Sequence, residues 1–194
     1  MRKKQQQPGI DRAPPPQKPT LMQTVFPWIR TVFIAFVLAV LISQFVVVNA
    51  SVISGSMEST IMTGDRVICN RLVYLLRTPE RFDVIAFEGN ADYATWIYVK
   101  RVIGLPGERV EIIDGRVYID DQTSPLPDNF VNGTATGNYG PFYVPEGHYF
   151  VLGDNRDLSY DSKNWIDPFL PREQILGMAV FIYHPRLSLI AGVE

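Results

Sequence analysis

The chain has 194 residues, 46% of them hydrophobic and 20% charged, which excludes a fully disordered or fibrous polypeptide and leaves room for one ordinary domain plus accessory sequence. A formal net charge of -2 gives no reason to expect a nucleic-acid partner. The single cysteine, Cys69, excludes an intrachain disulfide, and with His148 and His184 as the only histidines there is no Cys/His cluster for zinc.

Charge is unevenly spread. Residues 1–30 hold six basic groups (Arg2, Lys3, Lys4, Arg12, Lys18, Arg30) against one acid, Asp11, and the rest of the chain is acidic. The first 27 residues are rich in Gln and Pro and too poor in apolar side chains to offset the entropy of ordering them, so 1–30 reads as a basic tail. Thr31 to Asn49 is a run without charge; its 19 residues would span about 28 Å as a helix, close to a hydrocarbon core of about 30 Å. It predicts one transmembrane helix over 31–50. The basic residues all precede it, so the positive-inside rule predicts a cell-membrane protein that crosses once, tail in the cytoplasm and residues 51–194 outside. A buried core helix would show a polar face where this run has only Ser43 and Gln44. A cleaved signal peptide ending at Val48-Asn49-Ala50 would have a shorter apolar run and a shorter leading tail.

From Ser51 onward, short β-branched and aromatic stretches alternate with Gly, Pro and Asp, an all-β pattern. Asp114-Gly115 between 109–113 and 116–119 predicts a tight hairpin, since this dipeptide supplies the positive φ angles of such a turn. Further strands are predicted near 66–70, 83–88, 96–103, 148–152 and 178–183. Residues 120–143 read as a loop or peripheral excursion.

Three segments could carry chemistry. Ser54-Gly55-Ser56-Met57 follows the apolar run and suits a bend, although Ser-Gly pairs are also ordinary linker composition. Strand alternation in 96–103 places Trp96, Tyr98, Lys100 and Val102 on one face and Ile97, Val99, Arg101 and Ile103 on the other, both largely apolar. Residues 51–194 contain ten arginines but only two lysines, Lys100 and Lys163, so lysine is not the default surface cation. Burial lowers a lysine's pKa and can make it a general base, a role closed to arginine; the plain alternative is that Lys100 snorkels to solvent. The third segment is Gly153 to Trp165. Its alternating polar residues suggest a calcium loop, but Tyr160 stands where such a loop needs Gly and Ile166 where it needs a bidentate Glu; a polar loop tied by Asp-Arg and Asx-turn bonds explains it better. A serine also needs a base, and neither His148 nor His184 has a motif around it.

Taken together, SGSMESTIMTGDRV (54–67), YVKRVIGLPGERVEI (98–112) and GDNRDLSYDSKNW (153–165), in that order behind an apolar anchor, resemble the motifs of bacterial type I signal peptidases. The resemblance covers nearly the whole chain. It implies Ser56 as nucleophile, Lys100 as its general base, Ser54 beside the Ser56 N–H in the oxyanion hole, and Ser159 as the residue orienting the Lys100 amine. It places Asp154, Arg156 and Asp161 in a supporting polar network, and Val52, Ile53, Ile61 and Val99 in shallow apolar pockets for the residues one and three positions before the cut. The chain departs from the family pattern at Ser59, Leu158, Lys163 and Ile166.

The reading that follows is a membrane-bound serine endopeptidase that removes N-terminal signal peptides from exported preproteins through a Ser56 acyl-enzyme, without metal or organic cofactor. Its partners are those preproteins and membrane lipid, close to the export machinery. Ser56 lies six residues past Ala50, within about 20 Å of the bilayer even on an extended chain. The implied fold is mostly β: coiled antiparallel sheets with a partly barrel-like core and a small β excursion at 109–143, preceded by one transmembrane helix. Two rivals remain. A self-cleaving repressor of the SOS type shares a Ser/Lys dyad but carries a helix-turn-helix where this chain has an anchor, and an inert membrane-anchored β module would bind exported proteins without cutting them.

Overall fold

The computed structural model describes residues 21–91, 94–134 and 136–190. The predicted tail lies outside the described residues up to position 20. The chain divides into two units between Val40 and Leu41.

Helix α1, Leu21–Phe45, contains an 18-residue window, Val25–Ile42, of mean hydropathy 2.3, long and apolar enough to cross a membrane. Its bounds differ from the predicted 31–50 at both ends. Leu21, Met22, Val25 and Phe26 extend the apolar run toward the N-terminus, and the helix continues through Pro27, whose carbonyl accepts from Thr31 Oγ1 at 2.9 Å. At the other end Val47–Ser51 leaves the helix to become a strand.

The second unit is built of antiparallel strands: β1 (Val47–Ser51), β2 (Arg66–Asn70), β3 (Val84–Ala91), β4 (Ala94–Gly104), β5 (Arg109–Ile113), β6 (Arg116–Ile119), β7 (Tyr139–Tyr143), β8 (His148–Leu152), β9 (Leu170–Pro171), β10 (Ile175–His184) and β11 (Ser188–Leu189), with a one-turn helix α2 (Val73–Leu76) after β2. Eight of them form one sheet in the order β1-β2-β10-β3-β4-β8-β9, with β11 on β10. The expected mostly β architecture of antiparallel sheets behind one apolar helix is present, and among the described residues the order runs from β1 to β9 without closing into a barrel. β6-β5-β7 make a second, three-stranded sheet inside the predicted excursion. The β5–β6 hairpin turns at Asp114 (φ 49°) and Gly115 (φ 77°), as Asp-Gly requires.

β1 and β7 were not expected as strands. Val-Val-Asn-Ala-Ser satisfies either a bilayer helix or a sheet, and pairing with β2, Val47 opposite Asn70 through Ser51 opposite Arg66, decides for the sheet. β7 contains Gly140 and Pro141, ordinary breakers, tolerated because it is an edge strand paired only with β5.

The pleat of β3 and β4 separates two cores. Val84, Ala86 and Val99 face a cluster with Met57, Ile61 and Val67, whereas Ile85, Phe87 and Val102 face one with Tyr149, Val151 and Leu170. A third cluster joins Ile103, Phe150 and Leu152 to Val110, Ile112 and Val117 of the small sheet. β8 pairs with β4 only from Arg101 onward, so the β4 edge at 96–100 is left unpaired by β8.

Candidate active site

Ser56 sits in a single 3-10 turn, Gly55–Met57, entered from extended backbone at Ser54. Met57, almost fully buried in the first core, anchors this turn, and the backbone N–H of Asn155 holds it from the other side by donating to the Ser56 carbonyl at 3.1 Å. Lys100 reaches the same place from β4. Its amine donates to Ser56 Oγ at 2.5 Å, and the two residues are only 4% and 7% exposed. In the neutral amine the contact reverses, the Ser56 hydroxyl donating to the nitrogen lone pair. Burial is the main cause that lowers the Lys100 pKa to about 8; Asp161 opposes it, Lys163 adds to it and Asp154 opposes it. Ser54 Oγ lies 3.3 Å from Ser56 Oγ, within hydrogen-bonding distance.

The 153–165 loop is tied together by buried bonds. Gly153 N–H donates to Asp161 Oδ2 at 3.0 Å, and Lys163 Nζ meets both Asp161 oxygens at 3.1 and 3.2 Å as well as the Ser159 carbonyl at 3.1 Å. The departure at Lys163 therefore keeps an ion pair to Asp161, without the planar fork of arginine. Arg156 donates from Nε to the Gly153 carbonyl at 3.0 Å, and burial lowers its pKa. Leu158 and Ile166 are exposed, and Ser59 Oγ donates to the Phe130 carbonyl at 3.1 Å, so these three departures leave the dyad contacts untouched.

Sequence reasoning missed the partner of Asp154. Arg101 grips it at two points, Nε to Oδ1 at 2.8 Å and Nη2 to Oδ2 at 2.6 Å, and Thr60 Oγ1 adds a bond at 2.5 Å. The guanidinium also donates to the Phe82 carbonyl and lies 4.3 Å over the Phe130 ring. The only available signal was an arginine on an apolar strand face, which does not name its acid.

Ser159 differs from the expectation. It is buried, but its Oγ has no hydrogen-bond partner among the described residues and makes no bond to Lys100. Ile61 also departs. Val52, Ile53 and Val99 line an apolar groove of about 210 Å³ with Ser54, Ser56 and Lys100, together with Met57, Trp96 and Tyr98 that had not been assigned to it; Ile61 is fully buried in the core beneath. The histidines stand apart. His148 Nδ1 pairs with the Glu146 carbonyl at 2.9 Å, and His184 is exposed at the end of β10. The acids of the supposed calcium loop do not converge, since Asp157 takes the Thr134 N–H while Asp161 is held by Lys163 and Gly153.

A serine hydroxyl against a buried amine, opening on an apolar groove beside an unpaired strand edge, belongs to the serine peptidases. The comparisons with known proteins specify which. Residues 25–184 match the family described as signal peptidase, peptidase S26. The chain is 38% identical over 160 residues to the "Probable signal peptidase I-2" of Synechocystis, covering 80% of this chain and 72% of that protein. It is 35% identical over 170 residues to the signal peptidase I of Bacillus licheniformis, covering 84% and 90%. A crystal structure of a signal peptidase I from Enterococcus faecalis aligns at 32% identity over 53% of this chain and 97% of that one with a TM-score of 0.37, too low to bear on the fold. This chain belongs to the signal peptidase family, peptidase S26, whose members remove signal peptides from preproteins.

Proposed function

We propose that the enzyme cuts preproteins through an acyl-enzyme on Ser56 with Lys100 as general base. The observation that carries this reading is the 2.5 Å contact between a buried Lys100 amine and Ser56 Oγ, in a setting that lowers the amine's pKa to about 8. The neutral amine takes the Ser56 proton as Oγ attacks the scissile carbonyl. The oxyanion so formed is met by the Ser56 N–H and the Ser54 hydroxyl. Collapse releases the mature protein's amino group, protonated by the Lys100 ammonium, and leaves the signal peptide esterified to Ser56. Lys100 then takes a proton from water, which hydrolyses the ester.

Ser159, whose buried hydroxyl has no hydrogen-bond partner among the described residues, would take an N–H of the amine once Ser56 is acylated and no longer shares the contact. Asp154, Arg156 and Asp161 hold the loop that bonds the Ser56 carbonyl. Val52, Ile53 and Val99 select small residues before the cut, the substrate strand lying against the open edge of β4. No cofactor takes part in these steps. α1 anchors the enzyme in the cell membrane with the tail inside and the β domain outside, within reach of preproteins leaving the export machinery.

The test is cleavage of a defined preprotein by the purified full chain, with an acylating probe for Ser56. Wild type cuts and is labelled; Ser56→Ala and Lys100→Ala do neither while remaining folded. Labelling that survives Lys100→Ala would overturn the dyad, and a chain that binds preprotein without cutting it would be the inert module. Protease added outside spheroplasts should digest the β domain; its protection would reverse the topology.

A further inference from the structure

The β excursion covers two adjoining cavities that share Gly115 and Arg156 in their walls. The first, about 260 Å³, carries Asp114, Arg116 and Asp128, all of them exposed. The second, about 240 Å³, lies between Thr136 and Tyr139 of the excursion and Arg156, Ser159, Lys163 and Asn164 of the 153–165 loop. Thr136 is exposed, so the second cavity opens to solvent there. Neither cavity shares a lining residue with the substrate groove.

The wall of the second cavity is rich in donors that lack an acceptor. Arg156 is only 8% exposed, and its one side-chain hydrogen bond runs from Nε to the Gly153 carbonyl; the described residues give its two terminal nitrogens none. A buried guanidinium without a counterion is costly, and burial is the main cause that lowers its pKa. Ser159 Oγ is buried in the same wall and also lacks a partner among the described residues. If its lone pairs take an N–H of the Lys100 amine, its hydrogen must go to some other acceptor. The nearby acids are engaged. Asp157, which also lines the cavity, takes the Thr134 N–H at 3.0 Å; Asp161 is held by Gly153 and Lys163, and Asp154 by Arg101 and Thr60. Lys163, its side chain 9% exposed, directs its amine to Asp161 and the Ser159 carbonyl and brings a second positive charge to the wall. A guanidinium fork and a hydroxyl without acceptors suit an anion that presents several oxygens at once.

We propose that this cavity binds a small oxyanion of the phosphate class, held by the terminal nitrogens of Arg156 and the Ser159 hydroxyl, with Lys163 supplying charge. Such a ligand would bear on the dyad. The charged groups around the Lys100 amine are Asp161, Lys163 and Asp154, and of these Lys163 works against its protonation. An anion beside Lys163 offsets that repulsion, so the Lys100 ammonium persists to higher pH. Occupancy therefore restrains cleavage near neutral pH and not at alkaline pH. The coupling rests on Lys100 as general base, whereas the binding itself is independent of that reading.

The test titrates inorganic phosphate into the purified full chain in non-ionic detergent by calorimetry, with ionic strength held constant by chloride. Wild type should bind phosphate saturably. Arg156→Gln keeps a donor for the Gly153 carbonyl but no charge, and Thr136→Trp fills the mouth; each should weaken binding at least about tenfold. No saturable binding by wild type, or undiminished binding in both variants, would overturn the site. In cleavage of a soluble peptide by wild type, phosphate should lower kcat/KM about threefold at pH 7 and leave it unchanged at pH 10, the mark of an acid limb raised by about half a unit. Binding with an unmoved limb would overturn the coupling. An equal shift from anionic phospholipid vesicles without phosphate would overturn the free ion as ligand and assign a headgroup. Failure of wild type to cleave at all would tell against the dyad alone, since calorimetry does not read activity.

Discussion

Arg101 and Asp154, 53 positions apart, form a two-point ion pair with both side chains about 1% exposed, one residue from the proposed base on one strand and at the head of the loop that holds Ser56 on the other. Consecutive residues of β4 therefore serve opposite faces: Lys100 meets Ser56, and Arg101 locks the loop behind it. Removing one partner strands a buried charge, so Asp154→Ala and Arg101→Ala should each cost about 3–5 kcal/mol in urea unfolding. The double variant Arg101→Met, Asp154→Leu should recover much of that loss, and a double-mutant cycle would measure the coupling. Additive losses would show that the pair is not a unit.

As the proposed base, Lys100 would act only when neutral, and its pKa is lowered to about 8. The fraction neutral grows with pH, so kcat/KM should rise about tenfold per pH unit below 8 and level off above it. Lys100→Arg should be inactive because a guanidinium stays protonated. A folded but inactive His148→Ala or His184→Ala variant would instead point to histidine.

The same lowered pKa carries a stability cost of the opposite sign to the usual salt-bridge gain. Below about pH 8 the ammonium is buried at a penalty, and as pH rises from about 8 toward 10.5 the folded state sheds its proton first and the penalty fades. Lys100→Met, though inactive, should therefore be more stable than wild type at pH 7, by up to about 3 kcal/mol, with the difference shrinking at alkaline pH. Thermal unfolding across pH 6–10 would reveal it.

Gly153 is required by space. A Cβ there would overlap the Ser56 carbonyl oxygen and the Ser159 hydroxyl, and the first of these is backbone that cannot swing aside. Gly153→Ala should lower kcat/KM by about a hundredfold or more, the scale of lost transition-state alignment, and adding Ser159→Ala should not restore it. Ser159→Ala alone should leave stability unchanged, since its hydroxyl has no bond to lose among the described residues. Its effect on turnover tests the proposed contact with Lys100.

The groove and the core beneath it should respond differently. Val52→Ala and Val99→Ala enlarge the groove; if it selects residues before the cut as proposed, wild type should cleave a Leu or Phe substrate more than about tenfold more slowly than an Ala one, and these variants should relax that difference. Ile61→Ala should cost about 2–5 kcal/mol of stability and leave that preference alone. Changed selection in the Ile61 variant would return it to the pocket.

Much of this protein was legible along the chain because the deciding interactions are local. Uninterrupted apolar character specified the helix, Asp114-Gly115 specified its hairpin through the φ angles those residues tolerate, and a lysine inside an apolar strand next to an arginine stood out by composition alone. The order of three motifs then supplied the family and two residues that the structure brings to 2.5 Å. What the chain order could not decide were the matters of partner and depth. Val47 to Ser51 suits a bilayer or a sheet equally, and only the presence of β2 alongside settles it; Ile61 has the same apolar surface whether it lines a groove or lies under one; and Arg101 becomes the clamp on Asp154 only when β4 and the loop after β8 are folded together. Hydrophobic pattern and turn chemistry act over a few residues, whereas burial and ion pairing depend on segments tens of residues away, and those meet only in the tertiary structure.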